Sequence, residues 1–179
     1  MSSANRAVME RLIRNIPDFP KPGIQFKDIT PLIGDALGLK AVIAELLEAV
    51  PEGIDAVVGV ESRGFIFGVP LALELGVGFV PIRKPNKLPG AVYSQEFDLE
   101  YGSSTLNIHQ DALIPGQQVL LVDDLLATGG TLVAGAQLIE KAGASTVHVS
   151  VVIELEDLGG RAKLAQERGI ASITSLIKY

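Results

Sequence analysis

The sequence VLLVDDLLATGGT, residues Val119–Thr131, indicates the fold of this chain. It opens with an unbroken apolar run, Val119–Val122, which is typical of a strand buried on both faces in a parallel sheet covered by helices. Asp123 and Asp124 end that strand, and a loop of small residues leads to Thr131, where helical apolar periodicity begins. The predicted order is therefore strand, acidic pair, loop and helix N-terminus.

The loop and the start of the helix form a candidate anion site. Thr128, Gly129, Gly130 and Thr131 can supply closely spaced backbone N–H groups and two hydroxyls. Glycine permits close approach of a bulky ligand, and a helix N-terminus favours negative charge. A phosphate fits this site, and the neighbouring carboxylates suit vicinal hydroxyls, a metal-bound sugar or a developing cation. Together they describe a site for a ribose 5-phosphate.

This stretch resembles the phosphoribosyl pyrophosphate (PRPP) signature of type I phosphoribosyltransferases. The resemblance implies an α/β fold with a mainly parallel central sheet flanked by helices, a small hood and a flexible β-hairpin lid. It also implies that Asp123 and Asp124 hold the ribose hydroxyls and that Ala127–Thr131 anchor the 5′-phosphate. The alternative is a buried strand whose following turn merely begins with two aspartates, although such turns rarely carry this full set of residues.

Composition narrows the class of protein. The chain has 179 residues, enough for one domain with a substantial core. A net charge of −6 without a basic run argues against a nucleic-acid surface. The absence of cysteine excludes disulfides and thiolate metal sites. Because neither a membrane-spanning stretch nor a signal peptide is visible, we expect a soluble, cytoplasmic protein without membrane contact.

Helical and strand patterns alternate along the chain. We expect one domain over residues 1–179, with a hood over 1–34 and a lid hairpin over 84–110. Helices are predicted at 3–16, 35–50, the ESRGF segment to residue 75, 131–143 and 158–168. Strands are predicted at 54–60, 77–84, 119–122, 145–153 and 173–177, and the lid arms at 92–101 and 104–109.

The proline-rich loop IPDFPKPGIQFKDITPLIGD, residues 16–35, resembles the purine-base loop of adenine phosphoribosyltransferases. The resemblance implies that Phe26 stacks on adenine, that Gln25 contributes its backbone and that Lys27 flanks the base. That family often has an aliphatic residue at position 25 and arginine at position 27. A backbone contact survives the first change, whereas lysine cannot reproduce a planar, forked contact. From the residues alone, Phe26 could simply anchor the loop to the core.

The segment ESRGF, Glu61–Phe65, resembles the pyrophosphate loop of the same family. It follows a predicted strand, at the sheet edge where open α/β folds bind ligands. The resemblance implies that Arg63 and nearby amides hold pyrophosphate, and that a strained, cis Glu61–Ser62 peptide aims those amides. The alternative is a surface ion pair between Arg63 and Glu61.

The pieces RKPNKLPG and LEYG resemble the family's flexible loop. The resemblance implies that Lys84 and Lys87 neutralise pyrophosphate, that Glu100 exchanges a proton with purine N7 and that Tyr101 helps to close the site. A long excursion from a compact sheet suits a lid that keeps water from a cationic intermediate. Without the resemblance, Glu100 is one solvated acid among several, and the acids after residue 153 are also expected in a solvated loop.

The family's four motifs occur in the family's order, which implies the reaction of adenine with PRPP to give AMP and pyrophosphate. Mg²⁺ is the implied cofactor, held mainly through PRPP and water without direct protein ligands. A homodimer is implied as well. A transferase for guanine, hypoxanthine or xanthine and a non-enzymatic PRPP-sensing regulator stay open as alternatives. A phosphoacceptor receiver domain is disfavoured by the position of the acidic pair, and a P-loop nucleotidase by the lack of GxxxxGK[ST].

Overall fold

The computed structural model describes residues 2–98 and 102–179. The helices there are α1 Ser3–Leu12, α2 Thr30–Gly34, α3 Ala36–Ala49, α4 Arg63–Leu75, α5 Gly130–Lys141 and α6 Gly160–Leu164, with a 3₁₀ turn at Glu156–Leu158. The strands are β1 Arg14–Pro17, β2 Gln25–Asp28, β3 Ala56–Val60, β4 Gly78–Ile82, β5 Val92–Asp98, β6 Ser103–His109, β7 Gln118–Leu126, β8 Ser145–Glu154 and β9 Ser172–Lys178.

A parallel sheet with the order β4-β3-β7-β8-β9 forms the centre of the molecule. Successive residues of β7 face opposite apolar layers. Leu121 packs in the layer that contains Leu132 of α5, whereas Leu120 lies in the layer that contains Leu46 of α3 and Phe67 of α4. The predicted α/β fold with a mainly parallel sheet is confirmed. Because the strands are parallel, the loops that leave their carboxyl ends meet at one edge of the sheet.

Helix α4 packs closely on the sheet around one aromatic ring, that of Phe79 in β4. A Cβ atom added to Gly59 of β3 or to Gly68 of α4 would lie 2.7 Å from that ring. Phe65 also meets it edge to face, with 5.6 Å between ring centroids. The two glycines therefore leave the space that the ring occupies, and α4 begins directly beside the carboxyl end of β3.

The first helix is shorter than predicted, because α1 ends at Leu12 and the chain continues as strand β1. The prediction of a helix to residue 16 was wrong, since Ile16 lies opposite Phe26 in an antiparallel pair of β1 and β2. The Arg14 guanidinium lies 2.6 Å from Asp28 across this pair. The pair satisfies backbone groups of the proline-rich loop and holds it over the sheet edge.

Two further boundaries differ from the sequence predictions. Strand β7 does not end before the acidic pair but continues to Leu126, because Asp123 and Leu125 pair with Val151 and Ile153 of β8. The helix predicted over 158–168 is reduced to the short α6, and Leu164 is the one buried apolar side chain in it. A helix with so little apolar surface gains little from packing and is soon replaced by turns.

Strands β5 and β6 form the expected antiparallel hairpin. Residues 99–101, which connect β5 to β6 in the sequence, lie outside the described part. The hairpin lies against α5, where the Lys141 ammonium donates to the Ser94 carbonyl at 2.7 Å. None of the helices within residues 2–98 and 102–179 is long and apolar enough to cross a membrane.

Candidate active site

A cavity of about 320 Å³ lies at the carboxyl ends of β3 and β7. Its wall includes most of the side chains and backbone predicted for PRPP: Arg63, Lys84, Asp123, Asp124, Ala127, Thr128, Gly129, Gly130 and Thr131. The structure thus brings together residues that are up to 68 positions apart in the chain (63 to 131). Ser62, whose peptide bond with Glu61 was predicted to be cis, also lines it. Phe97 and Ser104 line it as well, and the sequence analysis did not identify them.

The loop 127–129, which we call the phosphate loop, leads from β7 into α5. It is closely packed, because a Cβ atom added to Gly129 would lie 2.8 Å from a neighbouring carbonyl oxygen. Gly129 adopts the left-handed conformation, with φ of +83°, which a side chain rarely tolerates. The N–H group of Val133 is bonded to the Gly129 carbonyl at 2.9 Å. The N–H groups that precede it in the first turn lack such intrahelical partners and face the helix N-terminus. This geometry suits an anion with several oxygens.

The acidic pair at the end of β7 is buried, with Asp123 8% and Asp124 6% exposed. The Asp124 N–H donates to Asp123 Oδ1 at 2.8 Å. Burial, together with the charge of Asp124, raises the pKa of Asp123 well above its ordinary value. Burial also raises the pKa of Asp124, against the opposing effect of the Arg63 guanidinium. Two carboxyl groups shielded from solvent in this way can accept hydrogen bonds from hydroxyl donors or stabilise a cationic charge.

Arg63 pairs with Asp124, its Nε lying 3.0 Å from Asp124 Oδ2. The alternative expectation of an ion pair with Glu61 was wrong, because Glu61 accepts from Arg83 Nε at 3.0 Å and from the Lys84 N–H at 2.9 Å. The Glu61–Ser62 peptide is cis, as expected. Glu61 therefore ties the start of the lid segment to the loop after β3.

Lys84 and Lys87 differ in position. Lys84 lines the cavity opposite the phosphate loop. Lys87 is exposed and does not line the cavity; its carbonyl accepts a hydrogen bond from Arg83 at 3.2 Å.

A second cavity, of about 800 Å³, adjoins the first and shares Ala127 and Thr128 with it. Gln25 and Lys27, the residues predicted to contact adenine, both line it. Phe26 is half-buried and lines neither cavity. Its ring centroid lies 5.9 Å from the Arg63 guanidinium and 5.1 Å from the ring centroid of Phe19.

The C-terminal part of the chain also lines this second cavity, through Leu155, Asp157, Leu158 and Tyr179. Sequence reasoning had assigned the acids after residue 153 to a solvated loop. That expectation was wrong for Glu154, which is 3% exposed and paired with Arg161. The signal in the sequence was a pair of aliphatic residues, Leu155 and Leu158, among the acids and glycines of this turn.

The Lys27 ammonium lies 3.8 Å from the centroid of the Tyr179 ring. This contact ties the base loop to β9 and keeps the lysine on the wall of the second cavity. The two histidines make local hydrogen bonds outside both cavities: His109 Nε2 lies 2.7 Å from the Pro89 carbonyl oxygen, and His148 bonds to Ser172.

No group of three or more metal-binding side chains occurs among the residues that the structure describes. Two buried aspartates, one of them bound to arginine, fit sugar hydroxyls better than a cation held by protein alone. Mg²⁺ held through PRPP and water stays a prediction. Glu100 and Tyr101, expected in catalysis and closure, fall among residues 99–101, outside the described part.

The geometry agrees with known proteins. A family model for the phosphoribosyl transferase domain matches residues 32–174. An adenine phosphoribosyltransferase of Cutibacterium acnes is 57% identical over 166 residues, which cover 93% of each chain. The chain belongs to the adenine phosphoribosyltransferase family.

Solved structures of that family share the whole fold. The adenine phosphoribosyltransferase of Thermoanaerobacter pseudethanolicus aligns with a TM-score of 0.91 at 49% identity, covering 97% of this chain and 99% of its own. The Saccharomyces cerevisiae enzyme, solved with adenine and an imino-altritol bisphosphate, aligns with a TM-score of 0.89 at 39% identity and covers 98% and 99%. The chain is accordingly a pentosyltransferase of the phosphoribosyltransferase type.

Proposed function

We propose that this protein transfers the 5-phosphoribosyl group from PRPP to adenine, giving AMP and pyrophosphate. The observation that supports this most strongly is the junction of the two cavities at Ala127 and Thr128. A ribose phosphate in the first cavity would place its C1 towards a base in the second. Positioning of this kind converts a reaction between two molecules into one within a complex.

In the first cavity, Thr128, Gly129, Gly130 and Thr131 bind the 5′-phosphate through backbone N–H groups and hydroxyls, with Ala127 completing the loop. Asp123 and Asp124 hold the ribose hydroxyls. Cleavage of the bond between C1 and pyrophosphate leaves positive charge on the ribose, which the buried carboxylates stabilise.

The leaving pyrophosphate is an anion, so it needs positively charged side chains around it. Arg63 and Lys84 line the cavity and bind it, while Lys87 reaches it when the lid closes. Arg63 then exchanges its bond with Asp124 for the pyrophosphate oxygens, which leaves the Asp124 carboxylate to the ribose. Mg²⁺ would be held mainly through PRPP and water, and it would offset the negative charge of the pyrophosphate.

Gln25 and Lys27 line the second cavity, where the Gln25 backbone bonds to the edge of adenine and Lys27 flanks the base. Phe26, which lies between them in the chain, stacks on the adenine ring. Glu100 accepts the proton from N7 or returns it in the reverse reaction. Tyr101 and the rest of 84–110 close over the site, and 1–34 forms the hood within a single domain. We also expect a homodimer, which light scattering after size exclusion would test.

The test is pyrophosphate release from PRPP with Mg²⁺ when adenine, guanine, hypoxanthine or xanthine is offered separately. We expect release with adenine alone. Release with another base would reject the role of the Gln25–Lys27 loop in selecting adenine and keep the PRPP site. Saturable PRPP binding without release with any base would reject the enzyme in favour of a regulator on the same fold.

A further inference from the structure

The phosphate loop is supported from behind by a glycine of a distant turn. A Cβ atom added to Gly160 would overlap the Ala127 carbonyl oxygen and lie 2.8 Å from the Gly129 nitrogen. In return, a Cβ added to Gly129 would lie 2.8 Å from the Gly160 carbonyl oxygen. The two backbones are therefore in direct contact, with no side chain between them.

The residue that follows Gly160 is pinned to the sheet. Arg161 Nε donates to the buried Glu154 Oε1 at 2.8 Å, and its Nη2 donates to the other oxygen of the same carboxylate. Arg161 also donates to the Ile173 carbonyl and to the Ser175 hydroxyl, both at 2.9 Å. Five donors in a planar fork make arginine suited to hold a backbone segment in one place.

The turn 155–159 between these two anchors also forms part of the wall of the second cavity, through Leu155, Asp157 and Leu158. The segment begins at Glu154 on β8 and lines the second cavity. Its far end is held by the bond between Arg161 and Glu154, which keeps Gly160 in contact with the phosphate loop. Since Ala127 and Gly129 lie in that loop, any outward shift at Gly160 moves the anion-binding N–H groups.

We propose that Gly160 and Arg161 are positioning residues that set the place of the phosphate loop for the 5′-phosphate. The inference rests on the proposed function, because it concerns the same loop. It adds two residues that line neither the first nor the second cavity. Their effect is confined to ligands that carry a phosphate in the loop, and pyrophosphate alone, held by Arg63 and Lys84, is not affected.

The experiment compares the dissociation constants of ribose 5-phosphate and of pyrophosphate, both with Mg²⁺, by calorimetry on the full chain. In Gly160→Ala we expect ribose 5-phosphate to bind at least about tenfold more weakly, because the loop is displaced, and pyrophosphate to bind within about twofold of the parent protein. The matched control is Gly159→Ala, in the same turn: its φ of +67° is strained for alanine, but no atom lies within 4 Å of the added Cβ. It is expected to change ribose 5-phosphate binding by less than about threefold.

A second variant, Arg161→Lys, keeps a positive charge beside Glu154 but loses the fork. We expect about threefold weaker binding of ribose 5-phosphate at unchanged pyrophosphate binding. Equal weakening of both ligands in either variant, or no weakening of ribose 5-phosphate, would overturn the proposal. Failure of the unaltered protein to bind ribose 5-phosphate would instead reject the proposed function itself.

Discussion

Arg63 and Asp124 hold each other at 3.0 Å, although the proposed reaction assigns them to different parts of PRPP. The arginine begins α4, and the aspartate lies near the end of the adjacent strand β7. In the free protein each thus compensates the charge of the other. In the proposed reaction, PRPP would replace this one ion pair with two sets of contacts, those of its pyrophosphate with Arg63 and those of its ribose hydroxyls with Asp124.

Replacement of Arg63 by methionine should weaken pyrophosphate binding at least about tenfold, because a charged hydrogen-bond donor to the anion is lost. Since the Arg63 charge lowers the pKa of Asp124, its loss should raise that pKa. If ionised Asp124 is needed, the acid limb of kcat/KM then moves to higher pH. The measurement is a pH profile beside calorimetry, with Arg11→Met on the exposed face of α1 as the control. An unmoved acid limb would contradict the role of Asp124.

Asp123→Asn should abolish transfer and yet stabilise the protein at neutral pH. Burial raises the pKa of Asp123 in the folded state, so the charged form opposes folding as pH rises above the ordinary value of 3.8. Removal of the charge should add about 0.5–2 kcal/mol to the free energy of unfolding. Urea unfolding at pH 7 measures this, and the exposed Asp111→Asn should change neither property. Lower stability of Asp123→Asn would show that its charge is already compensated.

Glu100→Gln should lower kcat by about 10²–10⁴-fold, because a positioned general base is lost, while KM for adenine stays near that of the parent protein. The matched control is Glu96→Gln, an exposed acid on β5 of the same hairpin. Steady-state kinetics with both variants decide the matter. Equal kcat in the two variants would assign Glu100 to the solvated face of the hairpin.

Tyr179→Leu should raise KM for adenine a few-fold, because the contact of Lys27 with the aromatic face contributes about 0.5–1 kcal/mol. Tyr179→Phe keeps the ring and should leave KM unchanged. The same KM in all three proteins would mean that the contact does not shape the base cavity.

Protonation of His148 should destabilise the protein in mild acid. The side chain is 1% exposed, and burial lowers its pKa below the ordinary value of 6.5. The folded state therefore binds this proton less readily than the unfolded state, and stability falls as pH drops below 6.5. Urea midpoints at pH 7.5 and about 5.5 measure the loss, which should be smaller in His148→Gln. The same pH dependence in that variant would locate the titrating group elsewhere.

The sequence predicted best those parts of the site that are contiguous in the chain. The PRPP motif was predictable from the order of an apolar run, two aspartates (Asp123 and Asp124) and Thr131. That order was enough because the strand, the loop and the helix start each depend on neighbouring residues. Partners across strands were not predictable in this way. Glu61 is two residues from Arg63, yet the partner of Arg63 comes from a neighbouring strand, and which strands become neighbours depends on the sheet order.

The same limit explains the missed wall of the base cavity. Tyr179 meets Lys27 only because β9 ends beside the base loop, a contact between residues 152 positions apart (27 to 179). The boundary error at Ile16 has a related cause. Its apolar spacing continued the stripe of α1, but pairing of β1 with β2 offered that side chain a place opposite Phe26.

The ring of Phe79, seated between Gly59 and Gly68, also restricts how this protein can change over evolutionary time. A larger residue at either glycine position is admissible only after position 79 has lost its ring, since a Cβ at 2.7 Å from the ring leaves no room. Natural variants should therefore exchange these three positions together, with an intermediate that contains a void. Such compensated exchange would show as covariation among strands β3 and β4 and helix α4, at three positions that do not themselves line either cavity.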